Sequence, residues 1–283
     1  MDDCPAAAAV VFALLVGVVG MPHGGLDHLF GRAVFFPLVG GWWRAAFAVT
    51  YLGVAALVVT GWLVAPAVTV VAFFLISAFH FGDADGSTGL AAVAEGGLVV
   101  WVSVLARPVE VAEILSWVVP DADPVAVHSA VVAAGLACGL ALIAVAGRAV
   151  WRVTCGESWV AVRLVTFTVL FALAPVLVGF VVYFCGWHST RELATLARRA
   201  NPARPGRGLL TVVRLAAPRA GLAVAATALA AWYFSTGRPL TPVVVQAVFL
   251  GLSAVAIPHI LLHAAATRLG AEPFDRPLAG ALA

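Results

Sequence analysis

The sequence predicts an all-α fold, a polytopic integral membrane bundle of roughly eight transmembrane helices. Hydrophobic residues make up 63% of the 283 residues and charged residues 11%, with a mean hydropathy of +1.05, which excludes an ordinary water-soluble domain. Apolar runs of about 18 residues or more recur along the chain, and each can cross a hydrocarbon core of about 30 Å. Stretches such as AAVVFALLVGVV are apolar on every side, whereas the strands of a membrane barrel alternate apolar and polar residues. Helices are therefore expected.

The candidate spans follow one another along the whole chain. In order they cover about residues 5–22, 45–65, 67–82, 89–106, 125–147, 159–187, 209–235 and 242–265. Asp2 and Asp3 precede the first apolar run in place of a basic region, which predicts a retained first helix. Pro175 predicts a break or kink inside the sixth span. No internal repeat or boundary is visible, so the sequence predicts a single domain over residues 1–283.

Charge distinguishes the connections between these spans. Residues 107–124, RPVEVAEILSWVVPDADP, carry four acids and one arginine around a short apolar core, which predicts a helix lying in the membrane interface. The chain has no lysine and a formal net charge of +2, so its charge indicates no nucleic-acid partner. Arginines concentrate between Arg191 and Arg219, which favours the cytoplasmic side for these connections. The sequence thus predicts a multi-pass protein of the cell membrane and leaves its orientation open.

The seven histidines are the most informative polar residues. Six of them lie in or at the ends of apolar runs, where an ionisable side chain is costly unless it faces a partner or a cavity; the seventh, His128, is expected at the surface. The six occur in PHGGLDH after the first span, SAFHFGDAD at the end of the third, CGWHSTREL after the sixth and AIPHILLH inside the last. A single histidine of this kind is more often a hydrogen-bonding group between helices, but six together favour a binding site.

Helical spacing pairs these histidines with carboxylates or with each other, because residues four apart share one face of a helix. The pairs at this spacing are His23 with Asp27, His188 with Glu192, and His259 with His263. A metal-bound histidine usually donates its second ring N–H to a carboxylate or a carbonyl, a role that Asp27 and the Asp83 carboxylate after His80 fit. Imidazoles from several helices with carboxylates nearby form the kind of site that helical bundles build around iron or zinc.

This pattern predicts a metal centre. The residues predicted to bind the metal are His23, His80, His188, Glu192 and His259, and those predicted to support them are Asp27, Asp83 and His28. On an ideal helix His28 points about 140° away from His23, so it approaches the site only if Gly24 and Gly25 interrupt the helix. The same two glycines would let the backbone approach another helix closely.

Four motifs, taken in order, resemble one family. GMPHGGLDH, SAFHFGDAD, WHSTRE and IPH are similar to the landmarks of the bacteriorhodopsin-related (Brp/Blh) β-carotene 15,15′-dioxygenases, which are integral membrane enzymes that make retinal. The resemblance extends from Gly20 to His259. It implies a non-haem Fe(II) centre whose ligands and catalytic residues correspond to His23, His80 and His188.

One position departs from the family pattern. That pattern reads W-H-S-x-R-H, and Glu192 stands where the pattern has its second histidine. A glutamate at the same helical offset could bind iron, which would give three imidazoles and one carboxylate. Alternatively His259 could be the fourth ligand, and the sequence leaves both arrangements open.

The resemblance implies that O₂ cleaves the central 15,15′ double bond of β-carotene, or of a related carotenoid, to give retinal. The expected partners are the lipophilic carotenoid, O₂, the lipid bilayer and a retinal-binding rhodopsin that accepts the product, with no nucleic acid among them.

Two other functions can be drawn from the same residues. A membrane lipid oxidase with two irons would need several H-x₃-H and H-x₂-H-H clusters, and only His259 and His263 have such spacing. A transporter or metal-binding membrane protein would use the histidines as a cation or proton path, and the Pro and Gly residues beside His23 and His259 suit the broken helices of transporters.

Overall fold

The structure, a computed structural model, describes residues 3–271, with side chains from residue 6 onward, so Asp2 lies outside the described residues. Every regular element in that range is helical, which confirms the predicted all-α class. The α-helices are α1 (Asp3–Leu15), α2 (Asp27–Val39), α3 (Trp43–Val64), α4 (Pro66–Ala84), α5 (Gly89–Gly96), α6 (Leu98–Ala106), α7 (Pro108–Val118), α8 (Pro124–Thr154), α9 (Ser158–Leu173), α10 (Val176–Val181), α11 (Thr190–Ala200), α12 (Pro205–Phe234) and α13 (Leu240–Arg268). Irregular helical segments connect some of them: π-helices over Val16–Gly20 and Val182–Ser189, and 3₁₀ helices over Met21–Leu26 and Gly40–Trp42.

Five described helical stretches are long and apolar enough to cross a membrane. They are Ala6–Val64, Pro66–Ala84, Pro124–Thr154, Pro205–Phe234 and Leu240–Arg268, and the bent pair of α5 and α6 makes a sixth if it counts as one span. The predicted count of roughly eight spans is therefore not confirmed. The difference arises partly because the predicted spans 5–22 and 45–65 fall within a single continuous helical stretch.

Two local breaks account for the rest of the difference. The predicted span 159–187 divides at Ala174, whose extended backbone (φ −77°, ψ 150°) ends α9 after 16 residues. Pro175 follows, and proline disfavours a helical conformation in the residue before it, so the predicted break at this position is confirmed. The predicted span 89–106 bends by 48° between α5 and α6.

The segment predicted to lie in the interface is helical. It forms α7, which has Pro108 at its start, where a missing backbone N–H costs nothing. The next helix, α8, begins after Asp123, whose carboxylate accepts hydrogen bonds from the backbone N–H groups of Val125 (3.3 Å) and Ala126 (3.2 Å). The helical part of the prediction is confirmed, and the position of α7 in the interface stays a prediction.

The described chain forms two compact units, each built from separate parts of the sequence. The first unit contains the residues up to Phe12, Ala65–Phe184 and Arg238–Gln246. The second contains Ala13–Val64, Cys185–Gly237 and the residues from Ala247 onward. The single domain over residues 1–283 stays a prediction.

The second unit is held together by an apolar core between four helices. Its buried members come from α2 and the residue before it and from α11, α12 and α13, and they are Leu26, Leu29, Phe30, Val34, Leu196, Val212, Ala216, Leu262 and Ala266. A buried hydrogen bond of 2.6 Å from the Trp62 indole N–H to the Ser253 hydroxyl also joins α3 to α13. These contacts fix the helices that carry His23, His259 and the carboxylate of Asp27.

The first unit contains a buried ionic cluster that the sequence analysis missed. Glu95 on α5 accepts hydrogen bonds from Arg148 Nε (2.5 Å) and from the Ser87 hydroxyl (2.7 Å), and its Oε2 lies 3.5 Å from Arg163 Nη2. Arg163 Nη1 also lies 3.4 Å from Asp85 Oδ1. Because the Glu95 and Arg163 side chains are only 1% and 5% exposed, neither charge could be left there without a partner.

Replacing Glu95 with glutamine should therefore destabilise the protein. The substitution keeps the shape but removes the buried negative charge that faces two arginines, which should lower the free energy of unfolding by roughly 3 kcal/mol. Reversible unfolding in mixed micelles measures this loss. The exposed Glu113→Gln substitution on α7 is the matched control, and equal stability of the two variants would contradict the prediction.

Candidate metal centre

The first of the predicted ligands, His23, lies where the helix is irregular. A π-helix ends at Gly20, and a 3₁₀ helix that includes Pro22 follows it and carries His23. His23 Nδ1 is 2.7 Å from the Gly20 carbonyl oxygen. A carbonyl only accepts hydrogen bonds, so Nδ1 carries the hydrogen and Nε2 carries the lone pair that can bind a metal.

His188 lies in the second of the two π-helices. The π-helix Val182–Ser189 carries it, and π-helical turns are rare and occur frequently at functional sites. Ser189 is fully buried, and its hydroxyl donates a 2.9 Å hydrogen bond to the same Gly20 carbonyl that accepts from His23. This shared acceptor joins the helical segments that carry His23 and His188, and the ring centroids of these two residues lie 5.3 Å apart.

His259 completes a group of three imidazoles. It follows Pro258 in α13, and its ring centroid lies 5.4 Å from that of His23. His259 Nδ1 is 2.6 Å from Asp27 Oδ1, and the other carboxylate oxygen of Asp27 accepts a 2.8 Å hydrogen bond from the Tyr51 hydroxyl. The carboxylate thus holds the Nδ1 hydrogen of His259, which leaves the Nε2 lone pair of this ring for a metal as well.

Asp27 could also bind a metal directly, because Asp27, His259 and His263 each offer a ligand atom and these atoms lie within 4.8 Å of one another. His263 Nε2 lies 3.4 Å from Asp27 Oδ1. Two atoms about 2.1 Å from one ion but only 2.6 Å apart would subtend roughly 75° at that ion, narrower than tetrahedral or octahedral ligands require. We therefore interpret Asp27 and His259 as a hydrogen-bonded pair in which the carboxylate supports the imidazole.

The other four predicted site residues are Glu192, His28, His80 and Asp83. Glu192 is half-buried on α11 and is close enough to His259 to interact with it electrostatically. His28 is half-buried in the first turn of α2. His80 is half-buried near the end of α4 in the first unit, and Asp83 on the same helix is exposed. The roles assigned to these four residues stay predictions.

The described residues of the second unit fit a metal ion. His23, His188 and His259 are 9%, 4% and 5% exposed, and the His23 ring centroid lies 5.3 Å from that of His188 and 5.4 Å from that of His259. Two of the three rings donate Nδ1–H to a carbonyl or a carboxylate, the arrangement typical of metal-bound histidine. Neutral imidazole ligands suit iron and zinc alike.

Comparison with known proteins identifies the family. A family model described as beta-carotene 15,15′-dioxygenase matches residues 14–265, which include all the histidines of this group. The chain belongs to the β-carotene 15,15′-dioxygenase family. The resemblance drawn from the four sequence motifs is thereby confirmed.

Two curated relatives support the β-carotene dioxygenase family assignment. A beta-carotene 15,15′-dioxygenase from an uncultured marine bacterium, 66A03, is 25% identical over 93% of this chain and 92% of its own length. A probable beta-carotene 15,15′-dioxygenase, Blh, from Halobacterium salinarum is 28% identical over 90% of this chain and 81% of its own length. No solved structure matches the chain significantly.

Three groups around the centre of this dioxygenase-family chain were missed from the sequence. Tyr51 is one of only three tyrosines and lies in the middle of an apolar span, which was an available signal. Ser189 lies within the motif WHSTRE, next to a predicted ligand, and could have been found by asking which polar group follows His188. The Gly20 carbonyl gives no sequence signal, because its role depends on the backbone alone.

Gly25, in the motif GMPHGGLDH, lets the 3₁₀ helix Met21–Leu26 approach α12 closely in this dioxygenase-family chain. A Cβ atom on Gly25 would lie 2.6 Å from the Ala216 carbonyl oxygen and 2.9 Å from the Ala216 Cα. The close approach predicted for the Gly24 and Gly25 pair is thus confirmed at Gly25. Because backbone atoms cannot move aside as a flexible side chain would, a methyl group here must displace the helix.

The Gly25→Ala substitution is therefore expected to destabilise the protein by about 1–3 kcal/mol. Thermal unfolding of the purified protein in detergent measures the effect as a lower midpoint. Gly41→Ala is the control, because a Cβ at this exposed position meets nothing within 4 Å. A Gly25→Ala protein as stable as the Gly41→Ala protein would show that α12 lies further from this segment.

Proposed function

We propose that this chain uses O₂ to cleave the central 15,15′ double bond of β-carotene, or of a related carotenoid, to give retinal. The observation that carries the proposal is the buried group of His23, His188 and His259 within the region that matches the family model. The names of the two curated relatives support the substrate and the bond that is broken. Cleavage adds one oxygen atom to each carbon of that bond, so one β-carotene molecule gives two retinal molecules.

The proposed cofactor is Fe(II). His23, His188 and His259 would hold it, together with His80 as the resemblance implies, and Glu192 is an alternative to His259. Bound Fe(II) supplies a centre that activates O₂ when coordination positions are left open to it.

The protein's own groups hold the imidazoles in place. The Gly20 carbonyl fixes the Nδ1 hydrogen of His23, and Asp27 fixes that of His259, so both rings keep one orientation. The low exposure of these rings favours a centre with little access to bulk water. The main task left to the protein is to place one double bond among many similar ones, which is a matter of positioning rather than of acid or base chemistry.

The proposed setting is the cell membrane. The five long apolar helices favour a multi-pass protein, and we propose a single domain with about eight crossings once α1, α3, α9 and the bent pair are counted separately. A C40 hydrocarbon dissolves in the bilayer and needs only an apolar path to the centre. Retinal is also lipophilic, which is why a retinal-binding rhodopsin in the same membrane is a suitable acceptor.

Expression in bacteria that make β-carotene tests this function directly. We expect the cells to lose their orange colour and accumulate retinal, and the purified protein to contain about one iron per chain. Unchanged carotenoid content in cells that hold the iron-loaded protein would refute cleavage of β-carotene. Two irons per chain would favour a di-iron oxidase, and cation uptake without retinal would favour a transporter.

Paired substitutions test which residue is the fourth ligand. Because Asp27 orients His259 by a 2.6 Å hydrogen bond, we expect His259→Ala to lose its iron while Glu192→Ala keeps most of it. Metal analysis after purification under anaerobic conditions measures both. The Glu192→His substitution restores the family pattern and should retain iron. Loss of iron from Glu192→Ala with retention in His259→Ala would assign the position to Glu192 instead.

A further inference from the structure

Tyr51 connects the carboxylate of Asp27 to the backbone of α13 beside His259. It lies on α3, and its hydroxyl oxygen is 2.8 Å from Asp27 Oδ2 and 3.1 Å from the Val255 carbonyl oxygen. Both neighbours are acceptors, so the single phenolic hydrogen is shared between them. A half-buried tyrosine hydroxyl between two acceptors is an arrangement that phenylalanine could not provide.

The two contacts act on the same histidine from different sides. Asp27 presents Oδ1 to His259 and Oδ2 to Tyr51, so each carboxylate oxygen has its own partner and the group is held against rotation. Val255 precedes His259 by one helical turn of α13, so the second contact holds the backbone that carries this ring. Tyr51 therefore restrains the carboxylate behind His259, and its contact with Val255 fixes the position of the hydroxyl that does so.

The aromatic ring of Tyr51 is itself held in place. Phe47, one turn earlier on α3, packs against it with ring centroids 5.4 Å apart. Tyrosine has few rotatable bonds, so a packed ring delivers its hydroxyl to a fixed point at a low cost in conformational entropy. Position 51 thus supplies a rigid donor to Asp27.

We propose that Tyr51 is a positioning residue that holds Asp27 on His259 and so raises the affinity of the centre for Fe(II). The inference rests on the proposed function, because it requires His259 to bind the metal. In this proposal the effect of Tyr51 on the metal passes through the carboxylate of Asp27. Removal of groups that support a metal-bound histidine typically weakens metal binding by about 10- to 100-fold.

The Tyr51→Phe substitution tests the proposal, because it removes only the hydroxyl. Fe(II) affinity is measured anaerobically by competition with a chromophoric chelator, and we expect the dissociation constant to rise about tenfold. Tyr233→Phe is the matched control, since Tyr233 is 74% exposed, and its affinity should equal that of the wild type. The absorption bands of Co(II) in the same site give a second readout, which should shift in Tyr51→Phe and stay in place in Tyr233→Phe.

A double-mutant cycle with Asp27→Asn separates positioning from general packing. If Tyr51 acts through Asp27, the double variant should bind Fe(II) no more weakly than Asp27→Asn alone. Additive losses, or wild-type affinity and an unshifted Co(II) spectrum in Tyr51→Phe, would overturn the inference. Wild-type protein that binds no iron would overturn the proposed function as well, so the two failures are distinguishable. If Tyr51→Phe yields no folded protein, Fe(II) affinities of Tyr51→Leu and Tyr233→Leu, which also lack the hydroxyl, are compared, and equal values count against the proposal.

Discussion

His23→Ala and His188→Ala should each abolish iron binding and retinal production. Both rings are buried and lie 5.3 Å apart, and the surroundings of each are organised around the Gly20 carbonyl. Loss of a ligand removes a bond to the metal itself, so affinity should fall by more than the roughly 100-fold that follows removal of a supporting group. Iron content of the purified variants and retinal in carotenoid-producing cells measure the two losses.

A histidine outside the group serves as the control for these variants. His128 on α8 is exposed, so His128→Ala should retain its iron and its retinal yield. Thermal unfolding of the metal-free proteins separates loss of a ligand from loss of the fold. Normal iron content in both His23→Ala and His188→Ala would place the metal elsewhere and refute the candidate centre.

Asp27→Ala has the second-largest expected effect. The substitution takes away the acceptor of the His259 Nδ1 hydrogen and one of the two acceptors of the Tyr51 hydroxyl. We expect iron affinity to fall by about 10- to 100-fold, and the free energy of unfolding to fall by about 1–3 kcal/mol because a buried donor loses its partner. Chelator competition measures the first effect and reversible unfolding the second.

A second substitution at position 27 shows whether its charge or its shape matters, and a distant carboxylate provides the control. Asp27→Asn keeps an acceptor oxygen but removes the negative charge, so it should recover most of the stability and only part of the iron affinity. Asp121→Ala replaces an exposed carboxylate before α8 and should change neither. Wild-type affinity in Asp27→Ala would mean that His259 is oriented without the carboxylate or does not bind the metal.

The helical class predicted from the sequence is confirmed, whereas the number of spans stays a prediction. Apolar runs long enough for a membrane predict helices whatever their tertiary contacts, because lipid offers the backbone no other partner. A span, by contrast, ends where local backbone geometry changes, as at Ala174, and such breaks depend on packing as well as on sequence. Pro175 marked one of them in advance, while nothing marked the continuous stretch from Ala6 to Val64.

The histidines of the centre could be predicted, but the carboxylate partner required the structure. Spacing of four residues paired Asp27 with His23 on one helical face, whereas in the structure Asp27 binds His259. The 3₁₀ helix over Met21–Leu26 explains the difference, since residues four apart are about 120° apart in that geometry and about 40° apart in an α-helix. Tyr51 was missed for a related reason, because its partners lie far away in the sequence.

The shared Gly20 carbonyl also bears on when the centre can form during synthesis. Its two donors, His23 and Ser189, are far apart in the chain, and His259 is made later still, in the last described helix. While the ribosome is still producing α12, a nascent chain holds only part of the imidazole group. Iron loading should therefore follow translation, and a chain truncated before α13 should lack a competent centre because it lacks His259.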